Sequence, residues 1–278
     1  MITSLNNGRI KHLKELQDKK RTRSKEGLFI AEGFKMFVEA PVRLIREIYI
    51  DIDVYNRIKE SRKEAPLSNN ENLIIENGLL NKADEKLKEC EGAHIFIETL
   101  STEVFNKASA TETPQGIILV LEQPSYKVSD ILGKNILILE DIQDPGNLGT
   151  MVRTGEGAGI SGILMTKGCV DIFNPKTVRS TMGSLYRVPF VYSDDLKNDI
   201  DVIKQAGVKV YAAHLKGTLF YDEIEYSGNS AFLIGNEGNG LSDEVSKLAD
   251  EYLKIPMEGE LESLNAAISA AILMYQAR

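Results

Sequence analysis

Short apolar runs rich in β-branched residues recur along the chain, and segments with helical spacing lie between them. LFIAEG (28–33) reads as a strand running into a helix over FKMFVEA, and EIYI (47–50) as a strand before a polar helical pattern near Val54–Lys63. Residues 66–92 read as polar and irregular, with a weak apolar patch at Leu73–Ile75. AHIFIET (93–99) and GIILVLEQP (116–124) are further strands, separated by a short helix over TEVFNKAS. From NILILEDI (135–142) onward the strands become almost wholly apolar, as strands covered on both faces do: SGILMT (161–166), VPFVYS (188–193), VKVYAA (208–213), SAFLIG (230–235) and EYLKIP (251–256). Helical patterns lie between them at Asp194–Gln205 and Ser242–Ala249. A last one, Ser263–Tyr275, is apolar on most sides and expected to be buried.

This alternation predicts an α/β protein: a small N-terminal α/β domain, then a doubly wound parallel sheet. A length of 278 residues fits two domains. The expected division is a basic segment 1–27, an α/β domain 28–122, a linker 123–134 (QPSYKVSDILGK) and a second domain 135–278. The two cysteines, Cys90 and Cys169, form no spaced pair, which argues against a disulfide framework or a zinc site and fits a reducing, cytoplasmic setting. No apolar run is long enough to span a membrane, and the N-terminus lacks a signal-peptide core.

The net charge of −8 argues against nucleic acid until it is partitioned. Residues 1–27 carry eight Lys and Arg against three Asp and Glu, a net of +5, whereas 28–126 and 127–278 carry −6 and −7. A local basic block can grip phosphates whatever the total, because fields are screened beyond about 10 Å. A solvated helix face or a frayed tail would show the same composition.

Three loops follow apolar strands and are rich in Gly, Asn or Pro, at the strand ends where open α/β sheets bind ligands. In DPGNLGTMVRTGEGAG (144–159) a helix begins near Asn147 and carries Arg153, and Gly155, Gly157 and Gly159 close it. A dinucleotide fingerprint would have its glycines open the helix, so C-capping and close packing are the better reading here. LIGNEGNGLSDEV (233–245) holds Gly235, Asn236 and Glu237 just beyond a buried strand, with Ser242 as an N-cap. In IPMEGELESLNAAISAAI (255–272) Pro256 stops a strand, Ser263 is placed to cap the final helix and Asn265 lies in its first turn. The acidic cluster Glu140, Asp141 and Asp144 reads as a solvated strand end rather than a magnesium site, and no metal is expected. His12, His94 and His214 have no metal or triad spacing, and neither cysteine has a basic neighbour that would make it a nucleophile.

In this order and spacing the three loops, Asn147 with Arg153, LIGNEGNGL, and IPMEGELESLNAA, resemble the motifs of the SpoU (TrmH) family of the knotted SPOUT superfamily, over roughly residues 135–276. More loosely, SLNNGRIKHLKEL, LFIAEGFKM and TPQGI resemble that family's N-terminal substrate-binding domain. The resemblance implies S-adenosylmethionine-dependent 2′-O-methylation of a ribose in structured RNA, with rRNA expected because of the extra N-terminal domain. It also implies a deep C-terminal trefoil knot and a homodimer in which Arg153 of one subunit reaches the other's cofactor pocket. The cofactor would be held by Ala213, His214, Gly217, Gly235, Asn236, Ile255, Met257, Leu264 and Ala266. Ser263 and Asn265 would position ribose and phosphate, and Asn147 and Glu237 would brace the loops. The family assigns its motif arginine as base or activator. A guanidinium stays protonated in proteins, so Arg153 is better read as a phosphate clamp. The chain departs from many relatives at Ala266-Ala267, where a β-branched residue and Ser are common. The alternatives are a tRNA 2′-O-methyltransferase, or a non-catalytic RNA-binding protein that kept the fold.

Overall fold

A computed structural model describes residues 1–60, 71–214, 216–226, 228–260 and 263–278, without the side chains of 71–77. The expected patch at Leu73–Ile75 and the end of the helix near Lys63 therefore lie outside what is described. The chain forms two compact units: Met1–Pro124 together with Phe173–Gly183, and Ser125–Ile172 together with Ser184–Arg278.

The first unit contains α1 (Gly8–Asp18), α2 (Lys20–Glu26), β1 (Leu28–Glu32), α3 (Phe34–Glu39), β2 (Ile45–Asp51), α4 (Ile52–Glu60), α5 (Glu71–Gly92), β3 (Phe96–Leu100), α6 (Thr102–Ala108) and β4 (Ile117–Glu122). Its sheet runs β1-β4-β2-β3, antiparallel except for the β2–β3 pair. The basic segment is not a tail. Asn7 caps α1 by accepting the Arg9 N–H at 2.9 Å, and Ile10, Leu13 and Leu16 pack into the core with Tyr49, Phe105 and Ile118. Buried Arg23 donates to the Leu16 and Gln17 carbonyls at 2.8 and 2.9 Å, satisfying acceptors that the end of α1 leaves open. Arg9 pairs with Glu47 at 2.9 Å and lies over the Phe96 ring.

The reading of 66–92 as irregular is corrected for its later part: Glu71–Gly92 is a 22-residue helix. Leu80, Ala83, Leu87 and Cys90 form its buried stripe, spaced by three and four residues. The many charges between them masked that period. Buried Asp84 is held there by Lys88 at 2.9 Å.

The second unit contains α7 (Val128–Ile131), β5 (Asn135–Leu139), α8 (Pro145–Ala158), β6 (Gly162–Met165), β7 (Phe190–Tyr192), α10 (Leu196–Gln205), β8 (Lys209–Ala213), β9 (Leu219–Phe220), β10 (Ser230–Ile234), α11 (Asp243–Ser246), β11 (Glu251–Lys254) and α12 (Ala266–Gln276). The remaining helix, α9 (Pro175–Ser180), belongs to the first unit. All seven strands are parallel, in the order β7-β6-β5-β10-β8-β11-β9. The two-residue β9 was not anticipated, because so short a run carries no periodicity. The register pairs Ile234 with Leu139 and Leu233 with Ala212, so the strands around β10 end together.

Asp144 caps α8 and Gly159 ends it in the left-handed region (φ +77°), as the C-cap reading anticipated. Gly155 is glycine for packing: a Cβ there would fall 2.4 Å from Ile160 Cδ1 and 3.6 Å from Met274 Sδ. Two expectations about α12 are revised. Asn265, not Ser263, caps it, accepting from the Ala267 and Ile268 N–H groups at 2.8 and 3.3 Å. Its burial is one-sided, because Ile268 and Tyr275 are each about half exposed (49% and 48%). Ser242 does cap its helix, accepting from Val245 N–H at 3.1 Å, although that helix is a single turn, Asp243–Ser246, rather than reaching Ala249.

Candidate functional site

The strand ends of the second unit supply backbone groups that need partners, and the three loops supply them to one another. After β10 the chain closes on itself: Asn236 and Gly240 exchange backbone hydrogen bonds at 3.1 and 2.9 Å. The Asn236 side chain accepts from the N–H groups of Gly238 and Asn239 at 2.9 and 3.1 Å, and donates to the Asp141 carbonyl beyond β5 at 2.8 Å. That closure requires glycine at 235, where a Cβ would sit 2.2 Å from both the Gly240 carbonyl carbon and the Leu241 nitrogen.

Glu237 is the junction. Its carboxylate accepts from Gln143 N–H at 3.1 Å, Asp144 N–H at 3.2 Å and the Asn147 side-chain amide at 3.0 Å. Asn147 in turn accepts from the Asn265 amide at 3.0 Å, while Asn265 caps α12. Partial burial of Glu237 would raise its pKa, but the Asn147 amide and the backbone donors outweigh that and hold it below the ordinary carboxylate value. One chain of bonds thus joins the first turn of α8, the loop after β10 and the start of α12. It brings together Asn147, Glu237 and Asn265.

Beside this chain lies a cleft of about 250 Å³. Of the residues expected to hold a cofactor, Ala213, His214, Gly235, Asn236, Ile255, Met257, Leu264 and Ala266 line it, together with Glu237 and Ser263. Gly217 does not line it; Gly217 packs under β11, where a Cβ would meet the Leu253 carbonyl carbon at 2.7 Å. His214 is held as a wall: Nδ1 accepts the Lys216 N–H at 3.0 Å and its ring stacks on Tyr252. Arg153 lies outside the cleft, exposed on α8, with no side-chain partner among the described residues.

Sequence reasoning missed Gln143, Lys254, Leu253 and Ser269. Gln143 donates its side-chain amide to the carbonyls of Asp141 and Gly168 at 3.1 and 2.8 Å, tying the loop after β5 to the loop after β6. The other three line the cleft. The signal for Lys254 and Leu253 was their place at the end of β11, directly before Ile255; Gln143 gave none.

The acidic cluster is absorbed by structure. Glu140 accepts from the Ser242 N–H and hydroxyl at 2.8 and 2.7 Å, Asp141 from the Thr166 hydroxyl at 2.6 Å, and Asp144 from Asn147 N–H at 2.8 Å. No group of His, Cys, Asp and Glu suited to a metal ion occurs among the described residues. Burial raises both thiols, Cys90 to about 11, which removes them as nucleophiles at neutral pH.

Comparison with known proteins bears on this arrangement. The model of the SpoU rRNA Methylase family matches residues 134–275, and that of the MRM3-like substrate binding domain matches residues 7–119. The 23S rRNA (guanosine(2553)-2'-O)-methyltransferase RlmP of Bacillus subtilis (strain 168) is 34% identical over 279 residues, covering 100% of this chain and 98% of that protein. A crystal structure of an rRNA methyltransferase from Sinorhizobium meliloti is similar at 28% identity and a TM-score of 0.81, covering 100% of this chain and 96% of that one. A structure of an AdoMet-bound rRNA methyltransferase from the same organism is similar at 27% identity, the same TM-score of 0.81 and the same coverage, 100% and 96%.

Proposed function

The chain belongs to the SpoU rRNA Methylase family, and from that premise we propose that the cleft binds S-adenosylmethionine and that the protein methylates a ribose 2′-hydroxyl in rRNA. The observation that carries this reading is the bonded chain Glu237–Asn147–Asn265 closing onto a cleft walled by the Gly235–Gly240 loop. The donor set fits the cofactor: main-chain groups around Gly235 and Ile255 would hold an adenine edge, Ile234, Leu241, Met257 and Leu264 would supply apolar walls, and glycine at 235 lets the backbone come close.

When bound, S-adenosylmethionine supplies an electrophilic methyl group. Glu237 holds two loops in register, Asn147 orients Asn265, and Ser263 with Asn265 positions the ribose at the mouth of the cleft. Arg153 binds the phosphate of the target nucleotide and lowers the proton affinity of the attacking hydroxyl by its charge. Because Arg153 is exposed and stands outside its own cleft, this reading makes the enzyme a homodimer in which Arg153 serves the partner's site. Half-exposed Ile268 and Tyr275, on the helix that packs against α8, support a second copy covering that face. The reading also includes a trefoil knot formed by the chain beyond Gly235, supported by the insertion of β10 between β5 and β8. The functional division is a basic segment 1–27, an RNA-binding domain 28–122, a linker 123–134 and a methyltransferase domain 135–278. No helix among the described residues is long and apolar enough to cross a membrane; the RNA substrate and two free thiols support a cytoplasmic setting.

Two measurements test the reading. Calorimetric titration of the full chain with S-adenosylmethionine must show one site per chain. Mapping of ribose methylation across total RNA, with and without the gene, must show loss of an rRNA site. Absence of cofactor binding refutes the enzyme, and loss of a tRNA site alone refutes the rRNA assignment.

A further inference from the structure

The first unit carries a cleft of about 580 Å³ at the carboxyl end of β1, inside the roughly 300–1,000 Å³ range of small-molecule sites. A second cleft of about 280 Å³ shares four of its lining residues, Glu32, Ala110, Thr111 and Arg179, so the two are lobes of one groove. We propose that this groove binds single-stranded RNA, seating one unpaired nucleotide in the larger lobe and its neighbour in the smaller. The proposal rests on RNA being the substrate and adds where a strand is held.

The chemistry of the larger lobe is mixed in the way a nucleotide requires. Arg179 is exposed on α9, and its guanidinium has no hydrogen-bond or ion-pair partner among the described residues. Lys35, exposed, lines the same lobe, with an ion pair to Glu39 stretched to 3.8 Å. These two cations suit a phosphate. Gln115 is oriented by accepting the Phe34 N–H at 3.0 Å, which leaves its amide N–H groups to donate to a base edge. Any side chain at Gly33 would destroy that placement, since a Cβ would lie 2.6 Å from the Gln115 oxygen.

Met182 supplies the apolar surface for a base face, with buried Met36 forming the floor behind it. Met182 is 37% exposed and held at φ +52°, a conformation that costs an ordinary residue about 1–2 kcal/mol. Retaining it there with its side chain half out of the fold fits a contact made with a ligand. Three carboxylates carry the opposite charge: Glu112 at the rim of the larger lobe, Asp18 at that of the smaller, both exposed and screened by solvent, and Glu32, which is engaged by the Thr111 hydroxyl at 2.7 Å and the Ala110 N–H at 3.2 Å and so fixes the facing wall. A bare anion would be repelled by Glu32 and would leave Gln115 and the methionines idle; a nucleotide uses all of them. The second lobe extends the groove to Lys176 and Asn174, which gives a strand its direction.

The test uses the full-length protein and a twelve-nucleotide single-stranded oligouridine containing 4-thiouridine. Arg179→Gln is expected to weaken binding about 5–20-fold and to reduce the salt slope by about 0.7, the value for one phosphate on a single strand. Gln115→Ala, which leaves charge unchanged, is expected to weaken binding about 3–10-fold, a neutral hydrogen bond's share. Lys197→Gln, the same charge loss on exposed α10 of the second unit, is the control and is expected to change neither. Crosslinks are expected in peptides containing Met36, Gln115 or Met182.

Equal effects of Arg179→Gln and Lys197→Gln overturn the groove, as do crosslinks confined to other peptides. Uridine monophosphate binding as tightly as the oligonucleotide overturns the strand in favour of a mononucleotide site. Methyl transfer to rRNA from cells lacking the gene is scored separately. Wild-type protein that methylates while Arg179→Gln keeps its RNA KM overturns only the groove; wild-type protein that crosslinks there but never methylates overturns only the enzyme.

Discussion

Gly235, Gly238 and Gly240 share one loop, yet each would meet a different obstacle as alanine, so the three substitutions form a graded test of how that loop builds the cleft. At Gly235 the added Cβ would overlap backbone, 2.2 Å from the Gly240 carbonyl carbon and from the Leu241 nitrogen and 2.4 Å from the Gly240 oxygen. No rotamer change relieves that; the Asn236–Gly240 pair must part, losing bonds of 3.1 and 2.9 Å. Overpacking costs about 1–3 kcal/mol and each lost bond about 0.5–1.5 kcal/mol. The total of about 2–6 kcal/mol corresponds to at least a 30-fold loss of cofactor affinity. At Gly240 there is open space, but φ is +68°, so alanine costs about 1–2 kcal/mol, roughly 5–30-fold. At Gly238 neither obstacle exists: the nearest atom, Asn236 Oδ1, is 3.5 Å away, and the change is expected to stay within about 0.5 kcal/mol. Calorimetric titration with S-adenosylmethionine, with thermal unfolding recorded on the same proteins, reads all three. The reasoning fails if Gly238→Ala is as damaging as Gly235→Ala, or if Gly235→Ala binds within threefold of the parent chain.

Other substitutions address the remaining parts of the site. Glu237→Gln puts an amide N–H group against donors that now face a carboxylate, and should weaken cofactor binding about 5–30-fold, the loss of one charge-assisted bond discounted for exposure; titration of the variant checks it. Because the folded state holds Glu237 below its ordinary 4.5, its bracing is complete above that pH and fades as the pH falls through the lowered value. Parent affinity is therefore expected to be level from neutral pH down to about 4.5 and to fall only below it, while the Gln variant shows no such step. If Arg153 is a phosphate clamp, Arg153→Lys keeps kcat and raises the RNA KM; a collapse of kcat alone would refute that role. Mixing Arg153→Ala with Glu237→Ala protein should restore activity that neither has alone, and failure to do so counts against a site shared between subunits. Replacing Lys11, Lys14, Lys20, Arg21 and Lys25 by Gln should weaken RNA binding without lowering Tm, since all five are exposed and have no side-chain partner among the described residues. Deleting residues 1–27 should unfold the first unit, because Ile10, Leu13 and Leu16 leave the core with them. At about 1.5–3 kcal/mol each, those three side chains rival the whole stability of a domain.

The parts of the fold that were legible are those where one physical signal dominates. A strand covered on both faces is apolar at nearly every position, so β5, β6 and β10 stand out at a glance. Glu71–Gly92 was illegible because its buried positions include an alanine, a cysteine and a paired aspartate, Ala83, Cys90 and Asp84. Burial there follows from what α3 and α4 present to the helix, a tertiary property that overrides a weak local pattern. The basic segment shows the complementary limit. Its charge count was correct, but composition cannot tell a side chain that grips RNA from one that holds the fold. Arg23, buried and bonded to two carbonyls, and Arg9, paired with Glu47, belong to the second kind.

The site was legible to the extent that its residues sit at strand ends, and illegible where it depends on pairs distant in sequence. Asn147 and Asn265 are 118 positions apart, and nothing in either neighbourhood announces their 3.0 Å bond. That bond changes how Glu237 is understood. In isolation it is an acid in an exposed glycine-rich loop, for which solvation is sufficient explanation. In place it accepts from two backbone groups and an amide, and the amide's own oxygen is then obliged to accept from Asn265, so the carboxylate fixes the direction of the whole chain. A protonated or amide group at 237 keeps one oxygen to accept from Asn147 and Asp144 but turns a donor toward the Gln143 N–H, so it no longer satisfies all three donors at once. The residues that would touch the ribose are therefore set by one that does not, and cofactor binding and substrate positioning should fail together when Glu237 is altered.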